Sequence, residues 1–261
     1  MIMSPPPELL QLAAIAHAAG AKIMEIYGTE FICQTKADAS PVTAADQAAE
    51  TIILAALNAD WPGVPVVAEE AMAQGDVPEL AETFFLVDPL DGTREFVARN
   101  GEFTVNIGRI ENGMPAAGVI YAPALGEMYL GALGTGAFYA TLSHASAAST
   151  ARFAAIKTRN APAQGVDILA SRSHLDPETK AFIAAQNPHD LVNAGSSLKF
   201  CRIAEGKADL YPRFGRTMEW DTAAGHAILL AAGGTVDLPA GGPLTYGKPG
   251  FANPAFIARG R

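Results

Sequence analysis

The chain has 261 residues, 49% hydrophobic and 17% charged, a composition that suits a globular core without disulfide or zinc staples and excludes global disorder. Its 18 basic and 27 acidic residues leave a net charge of -9, which argues against a nucleic-acid binder with a basic stripe. A small anion remains allowed, because metal cations or a few placed Arg and Lys residues can reverse the local field.

The first residues carry no basic run of the signal-peptide kind, and no apolar run reaches the roughly 18 residues of a membrane span, so the cytoplasm is the expected compartment. From Glu8 to Tyr27, Leu9, Leu12, Ala16, Ala19, Ile23 and Ile26 recur at steps of three and four and predict an amphipathic helix. A second helix is expected from Ala44 to Asn58, with Thr43 as N-cap, Asp46 as its capping-box partner and Trp61-Pro62-Gly63 as the stop. The period then shortens. Val64 to Ala68 reads as a buried strand ending in Glu69-Glu70, and Phe84 to Val87 as another ending in Asp88. Thr104 to Ile107, a turn at Asn112-Gly113, Ala117 to Tyr121, Glu127 to Leu130 and Ala137 to Tyr139 form a meander. Residues 141–165 are rich in Ala and Ser and separate two expected halves, 1–145 and 146–261.

The second half alternates. Asp167 to Ala170, Ala208 to Pro212 and Thr235 to Asp237 read as strands. Helices are expected from Asp176 to Gln186, from Ser196 to Ala204 and from Thr222 to Ala232. The two cysteines, Cys33 and Cys201, sit in no C-x-x-C pair and read as small buried thiols. His17, His144, His189 and His226 read as structural.

The chemistry centres on Asp88-Pro89-Leu90-Asp91-Gly92-Thr93. Pro89 and Gly92 allow a sharp turn that leaves two carboxylates and the Leu90 carbonyl close together. Such oxygens suit a hard divalent cation, and the same residues also suit an ordinary Asx-type turn. Glu69 ends the preceding strand, and Asp221 is either a helix N-cap or a further ligand. Carboxylates gathered at the ends of neighbouring elements repel one another unless a cation neutralises them.

These segments resemble the two signatures of the inositol monophosphatase superfamily: Asp88-Pro89-Leu90-Asp91-Gly92-Thr93 with Glu69, and Trp220-Asp221-Thr222-Ala223-Ala224-Gly225. Ser40 to Asp46, Arg94 to Asn106, Gly195 to Cys201 and Leu210 to Gly215 are similar to the 3'(2'),5'-bisphosphate nucleotidase branch in particular, while Met218-Glu219 departs from its pattern. The resemblance implies an α/β (α+β) fold, a layered α-β-α-β-α sandwich. It implies two or three Mg²⁺ ions, with Mn²⁺ as the alternative, held by Glu69, Asp88, the Leu90 carbonyl, Asp91 and Asp221. It implies that Asp46 and Thr93 position and deprotonate the attacking water. Asp46 keeps its competing role as the capping partner of Thr43.

Gly92 and Thr93 offer backbone N–H groups to phosphate. The resemblance adds Ser196 and Lys199 to the nucleotide pocket, Arg213 near the phosphate that is not cleaved and His174 near the adenosine. Read without it, Lys199 and Arg213 are solvated surface charges and His174 is a loop residue. The expected reaction is hydrolysis of 3'-phosphoadenosine 5'-phosphate to AMP and phosphate, with its 5'-phosphosulfate analogue as a second substrate, no nucleic-acid partner and no stable membrane insertion. Three alternatives stand beside it: an inositol-1-phosphate phosphatase with the same metal site, a phosphonucleotide sensor without turnover, and a serine acyl enzyme built on Ser196-Ser197-Leu198-Lys199, for which the S-D-N and K-T-G motifs are absent.

Overall fold

The computed structural model describes residues 4–30, 33–35, 41–142, 151–170, 176–186 and 188–261. Helix α1 (Pro7–Tyr27) buries Leu9, Leu12, Ala16, Ala19 and Ile23, the face expected from their spacing. Contrary to the reading of the sequence, α1 is long and apolar enough to cross a membrane, judged by length and composition alone; here its apolar face is core. Strands β1 (Cys33–Thr35) and β2 (Pro41–Thr43) pair antiparallel and lead into α2 (Ala44–Asp60), which Trp61 ends.

Next come β3 (Val66–Ala68), α3 (Glu69–Ala73), β4 (Thr83–Asp91) and α4 (Thr93–Val97). The meander follows as β5 (Thr104–Glu111), β6 (Met114–Ala122), β7 (Glu127–Ala132) and β8 (Gly136–Thr141), with β9 (Ala154–Ile156) added at its edge. These seven strands form one sheet in the order β3-β4-β5-β6-β7-β8-β9, parallel between β3 and β4 and antiparallel elsewhere.

The chain beyond the seven-stranded sheet runs through β10 (Asp167–Ala170), α5 (Pro177–Ala185), β11 (Asp190–Asn193) and α6 (Leu198–Ala204). It continues with β12 (Leu210–Arg213), β13 (Thr217–Met218), α7 (Glu219–Ala231), β14 (Thr235–Asp237), β15 (Ala252–Asn253) and β16 (Phe256–Arg259). Its main sheet has the order β11-β10-β12-β16-β14, and β13 pairs with β15. Two expected helix starts move. Helix α6 begins at Leu198 rather than Ser196, because Ser196 is left-handed (φ 53°) and falls outside the helical region. Helix α7 begins at Glu219 rather than Thr222, because Asp221 sits at its third position and accepts the Met218 N–H.

The layers follow from the period-two alternation of the central sheet. Phe85, Val87, Val105, Ile107, Val119 and Tyr121 face α1 and α2, while Phe84, Leu86, Ile110, Ile120 and Ala122 face α6 and α7. Beyond α6 and α7 lies the five-stranded sheet, through Tyr211, Val236 and Phe256, and α5 covers its outer face through Ile183. The architecture is the expected α-β-α-β-α sandwich.

Helix α7 is drawn unusually close to the central sheet. Gly108, Gly118 and Gly131 are aligned across β5, β6 and β7. A Cβ on each would lie 2.7 Å from Ala223 Cβ, 2.5 Å from the Ala224 carbonyl oxygen and 2.6 Å from Ile228 Cα. The three glycines form a channel for the helix backbone. Gly118→Ala is therefore expected to destabilise the protein by about 1–3 kcal/mol through overpacking, measured by urea denaturation. A loss under about 0.5 kcal/mol, the usual range for a neutral surface change, would show that α7 is free to shift.

Candidate active site

Strands β3 and β4 run parallel, with Ala68 opposite Val87, so both end on the same side of the sheet. Glu69 follows β3 directly as the first residue of α3. Asp88 and Asp91 sit three residues apart on β4, a separation that would send their side chains to opposite faces of a regular strand. A bulge prevents this: Asp88 pairs with Asn106 and Asp91 with Thr104, so three steps on β4 match two on β5. Strand β4 thus continues through Asp91 instead of ending in Asp88 as expected. Gly92 then turns at φ 87° into α4.

Asp221 reaches this point from the second half of the chain. Glu69, Asp88 and Asp221 each offer a carboxylate oxygen, and these atoms lie within 4.8 Å of one another. Asp221 is the third residue of its helix, not the N-cap. Burial, and then the nearby charges of Asp91 and Glu69, push its carboxyl well above the usual carboxylate range, against the pull of the Met218 N–H. A carboxylate held in this way calls for a positive charge, and an all-oxygen donor set fits a hard divalent cation. The residues present could hold one.

Asp46 performs two tasks with its two oxygens. Oδ2 accepts the backbone N–H and the hydroxyl of Thr43, each at 2.8 Å, and so caps α2. Oδ1 accepts the Thr93 hydroxyl at 3.2 Å. The competing roles read from the sequence coexist. The Leu90 carbonyl also lies 3.3 Å from Thr93 Oγ1.

Asp91 is tied differently. Its Oδ2 accepts Ser196 Oγ at 2.6 Å and Ser197 Oγ at 2.9 Å, with Asn106 Nδ2 at 3.5 Å. No role was assigned to Ser197, Asn106 or Thr104 from the sequence. The strings Thr104-Val105-Asn106 and Gly195-Ser196-Ser197 hold the signal, a polar residue spaced by two in a strand and a serine pair before a helix. Another buried group unassigned by sequence, Glu50, accepts the Glu70 N–H at 2.8 Å just beyond Glu69, and burial raises its carboxyl to about 7.

Lys199 and Arg213 are buried, not solvated surface charges. Lys199 Nζ donates to the Ser196 carbonyl at 2.5 Å and lies over the Tyr211 ring, 5.2 Å from its centroid. Ser196 Oγ meanwhile faces Asp91 and Thr104, so this lysine is not placed as a base for that hydroxyl, and the acyl-enzyme alternative loses its catalytic pair. Arg213 donates to the carbonyls of Gly215 and Arg216. Together with Gly92, Thr93, Arg94 and Arg216, these cations line a cleft of about 240 Å³ that Glu69, Asp91, Glu95 and Asp221 also line.

His174 and His144 lie outside the described residues, as does the side chain of Cys33. His226 is buried against Tyr246, its imidazole lowered to about 3 by burial, and His189 pairs with Asp167. Cys201 is a buried free thiol.

Burial, opposed by Asp91 and aided by Arg213, lowers the Lys199 ammonium to about 8. An anion held by Lys199 is bound while the lysine is charged, below that pH, and released above it. The affinity for inorganic phosphate, followed by calorimetry, should fall by up to about tenfold per pH unit above pH 8 in the parent protein. In Lys199→Met it should be low and flat. An unchanged profile in the parent would remove Lys199 from the anion site.

Comparison with known proteins places this geometry. The inositol monophosphatase family profile matches residues 8–259. The 3'(2'),5'-bisphosphate nucleotidase CysQ of Salmonella typhimurium is 45% identical over 251 residues, covering 95% of this chain and 98% of that protein. CysQ of Escherichia coli (strain K12) is 44% identical over 249 residues, covering 94% and 97%. The crystal structure of CysQ from Bacteroides thetaiotaomicron is 41% identical with a TM-score of 0.80, covering 96% of both chains. The inositol monophosphatase from Anabaena is 27% identical with a TM-score of 0.75, covering 97% of this chain and 90% of that one. The match runs through both halves and through every segment that builds the acidic cup: the chain belongs to the inositol monophosphatase family.

Proposed function

We propose that this protein is a Mg²⁺-dependent 3'(2'),5'-bisphosphate nucleotidase that hydrolyses the 3'-phosphate of 3'-phosphoadenosine 5'-phosphate to AMP and phosphate. The observation that carries the reading is the convergence of Glu69, Asp88 and Asp221 within 4.8 Å at a cleft that Arg94, Lys199, Arg213 and Arg216 also line. Near-full-length likeness to bisphosphate nucleotidases supports the substrate class.

Glu69, Asp88, the Leu90 carbonyl, Asp91 and Asp221 would hold two or three Mg²⁺ ions, with Mn²⁺ as a substitute. Bound there, the metal neutralises phosphoryl charge and acidifies water. Thr93 Oγ1 donates towards Asp46 Oδ1 and turns its lone pairs outward, where they orient the attacking water. Asp46 accepts the proton as the water adds in line to phosphorus. No side chain needs to become covalently attached to the phosphoryl group. Lys199, Arg213 and Ser196 line the side of the cleft that would receive the remainder of the nucleotide, its second phosphate included. His174 belongs to this reading as an adenosine contact. The small soluble substrate suits a cytoplasmic enzyme with no nucleic-acid partner.

Phosphate release with Mg²⁺ should be much faster from 3'-phosphoadenosine 5'-phosphate than from inositol 1-phosphate or fructose 1,6-bisphosphate. A preference for inositol 1-phosphate would move the enzyme to that branch of the family, and nucleotide binding without phosphate release would make it a sensor. Asp46→Asn should lower kcat by about 10²–10⁴ with nucleotide binding retained. Turnover within about threefold of the parent, far less than the loss of a general base causes, would show that Asp46 only caps its helix.

A further inference from the structure

Ser197 stands at a junction between the two halves of the molecule. It precedes α6, is buried, and its hydroxyl meets three groups. Asn106 Nδ2 on β5 donates to Ser197 Oγ at 2.9 Å. Asp91 Oδ2 at the end of β4 lies 2.9 Å away, and the backbone carbonyl of Asp221 on α7 lies 2.7 Å away.

A serine hydroxyl has one proton and two lone pairs. The Asn106 amide occupies a lone pair, and the single proton is left between two acceptors. Asp91 Oδ2 is satisfied either way, since it also accepts Ser196 Oγ at 2.6 Å. The Ser197 proton is therefore free to serve the Asp221 carbonyl without stranding Asp91. The Ser197 hydroxyl thereby links the Asn106 amide on β5 to the main chain of Asp221 on α7, while Ser196 holds Asp91, against the mutual repulsion of the acidic side chains around them.

We infer that Ser197 is a positioning residue that holds Asp221 at ligating separation from the carboxylates on β4 before the cation arrives. It touches neither substrate nor reacting atoms in this scheme. The inference rests on the proposal that the acidic cup binds a divalent cation. If it holds, removing the hydroxyl weakens metal binding by roughly ten- to a hundredfold, the usual effect of losing a group that orients metal ligands.

The test is calorimetric titration of the metal-free protein with Mn²⁺ alone, in the parent, Ser197→Ala and Ser197→Thr. The alanine protein should bind Mn²⁺ at least about tenfold more weakly, with kcat recovered at saturating metal and KM for the nucleotide unchanged. The threonine protein keeps the hydroxyl and should bind close to the parent. Should the alanine protein not fold, Ser197→Cys, whose thiol is a weak donor, gives the same contrast. Parent-like Mn²⁺ affinity in the alanine protein, or equal losses in alanine and threonine, overturns the role of Ser197 and leaves the metal reading intact. No Mn²⁺ binding by the parent overturns both.

Discussion

The structure is organised around an electrostatic conflict. Glu69, Asp88 and Asp221 bring carboxylate oxygens within 4.8 Å of one another, with Asp91 beside them. Two like charges 4 Å apart near a protein surface repel by about 4 kcal/mol. A fold that gathers several such charges must hold them by rigid means until a cation neutralises them. The raised carboxyl of Asp221 is the local sign of that conflict, and its cause is burial together with the charges of Asp91 and Glu69. A metal-dependent phosphatase uses this arrangement because the same cation that relieves the repulsion also draws in phosphate.

The rigidity comes from packing that is distant from the chemistry. Helix α7 delivers Asp221 from the second half of the chain and lies in a channel left by Gly108, Gly118 and Gly131. Its first turn is clamped from the other side. Buried Glu219 accepts the N–H groups of Gly247 and Lys248 at 2.7 and 2.9 Å, and Asn253 Nδ2 donates to the Met218 carbonyl at 2.7 Å. Met218-Glu219, directly ahead of Trp220-Asp221, is thus where the helix start is anchored.

Small polar groups in the site carry more than one duty. Asp46 caps α2 with one oxygen and meets Thr93 with the other. Ser197 accepts from Asn106 on β5 and donates its one proton to the Asp221 carbonyl on α7. Lys199 donates to the Ser196 carbonyl, next to the left-handed Ser196 whose own hydroxyl reaches Asp91. Asp91 and Lys199, both on the cleft, are therefore linked through Ser196.

Much of this was legible in the sequence. Local periodicity located the long helices and the meander, because 3.6- and 2-residue repeats act over neighbouring residues. The Thr43–Asp46 capping box was readable for the same reason. The five-residue helices α3 and α4 were not, since they are too short to show a period. Resemblance identified Glu69, Asp88, Asp91 and Asp221 as partners, and tertiary structure brought them together. Three features were decided only in three dimensions. The bulge that turns Asp88 and Asp91 to the same face depends on pairing with β5. The burial of Lys199 depends on α6 packing against β12, where its ammonium lies over the Tyr211 ring. The bond from Ser197 to Asp221 spans segments whose approach is set by helix-on-sheet packing. A linear sequence carries local preference and residue chemistry, while register and long-range contact arise from the simultaneous packing of the whole core.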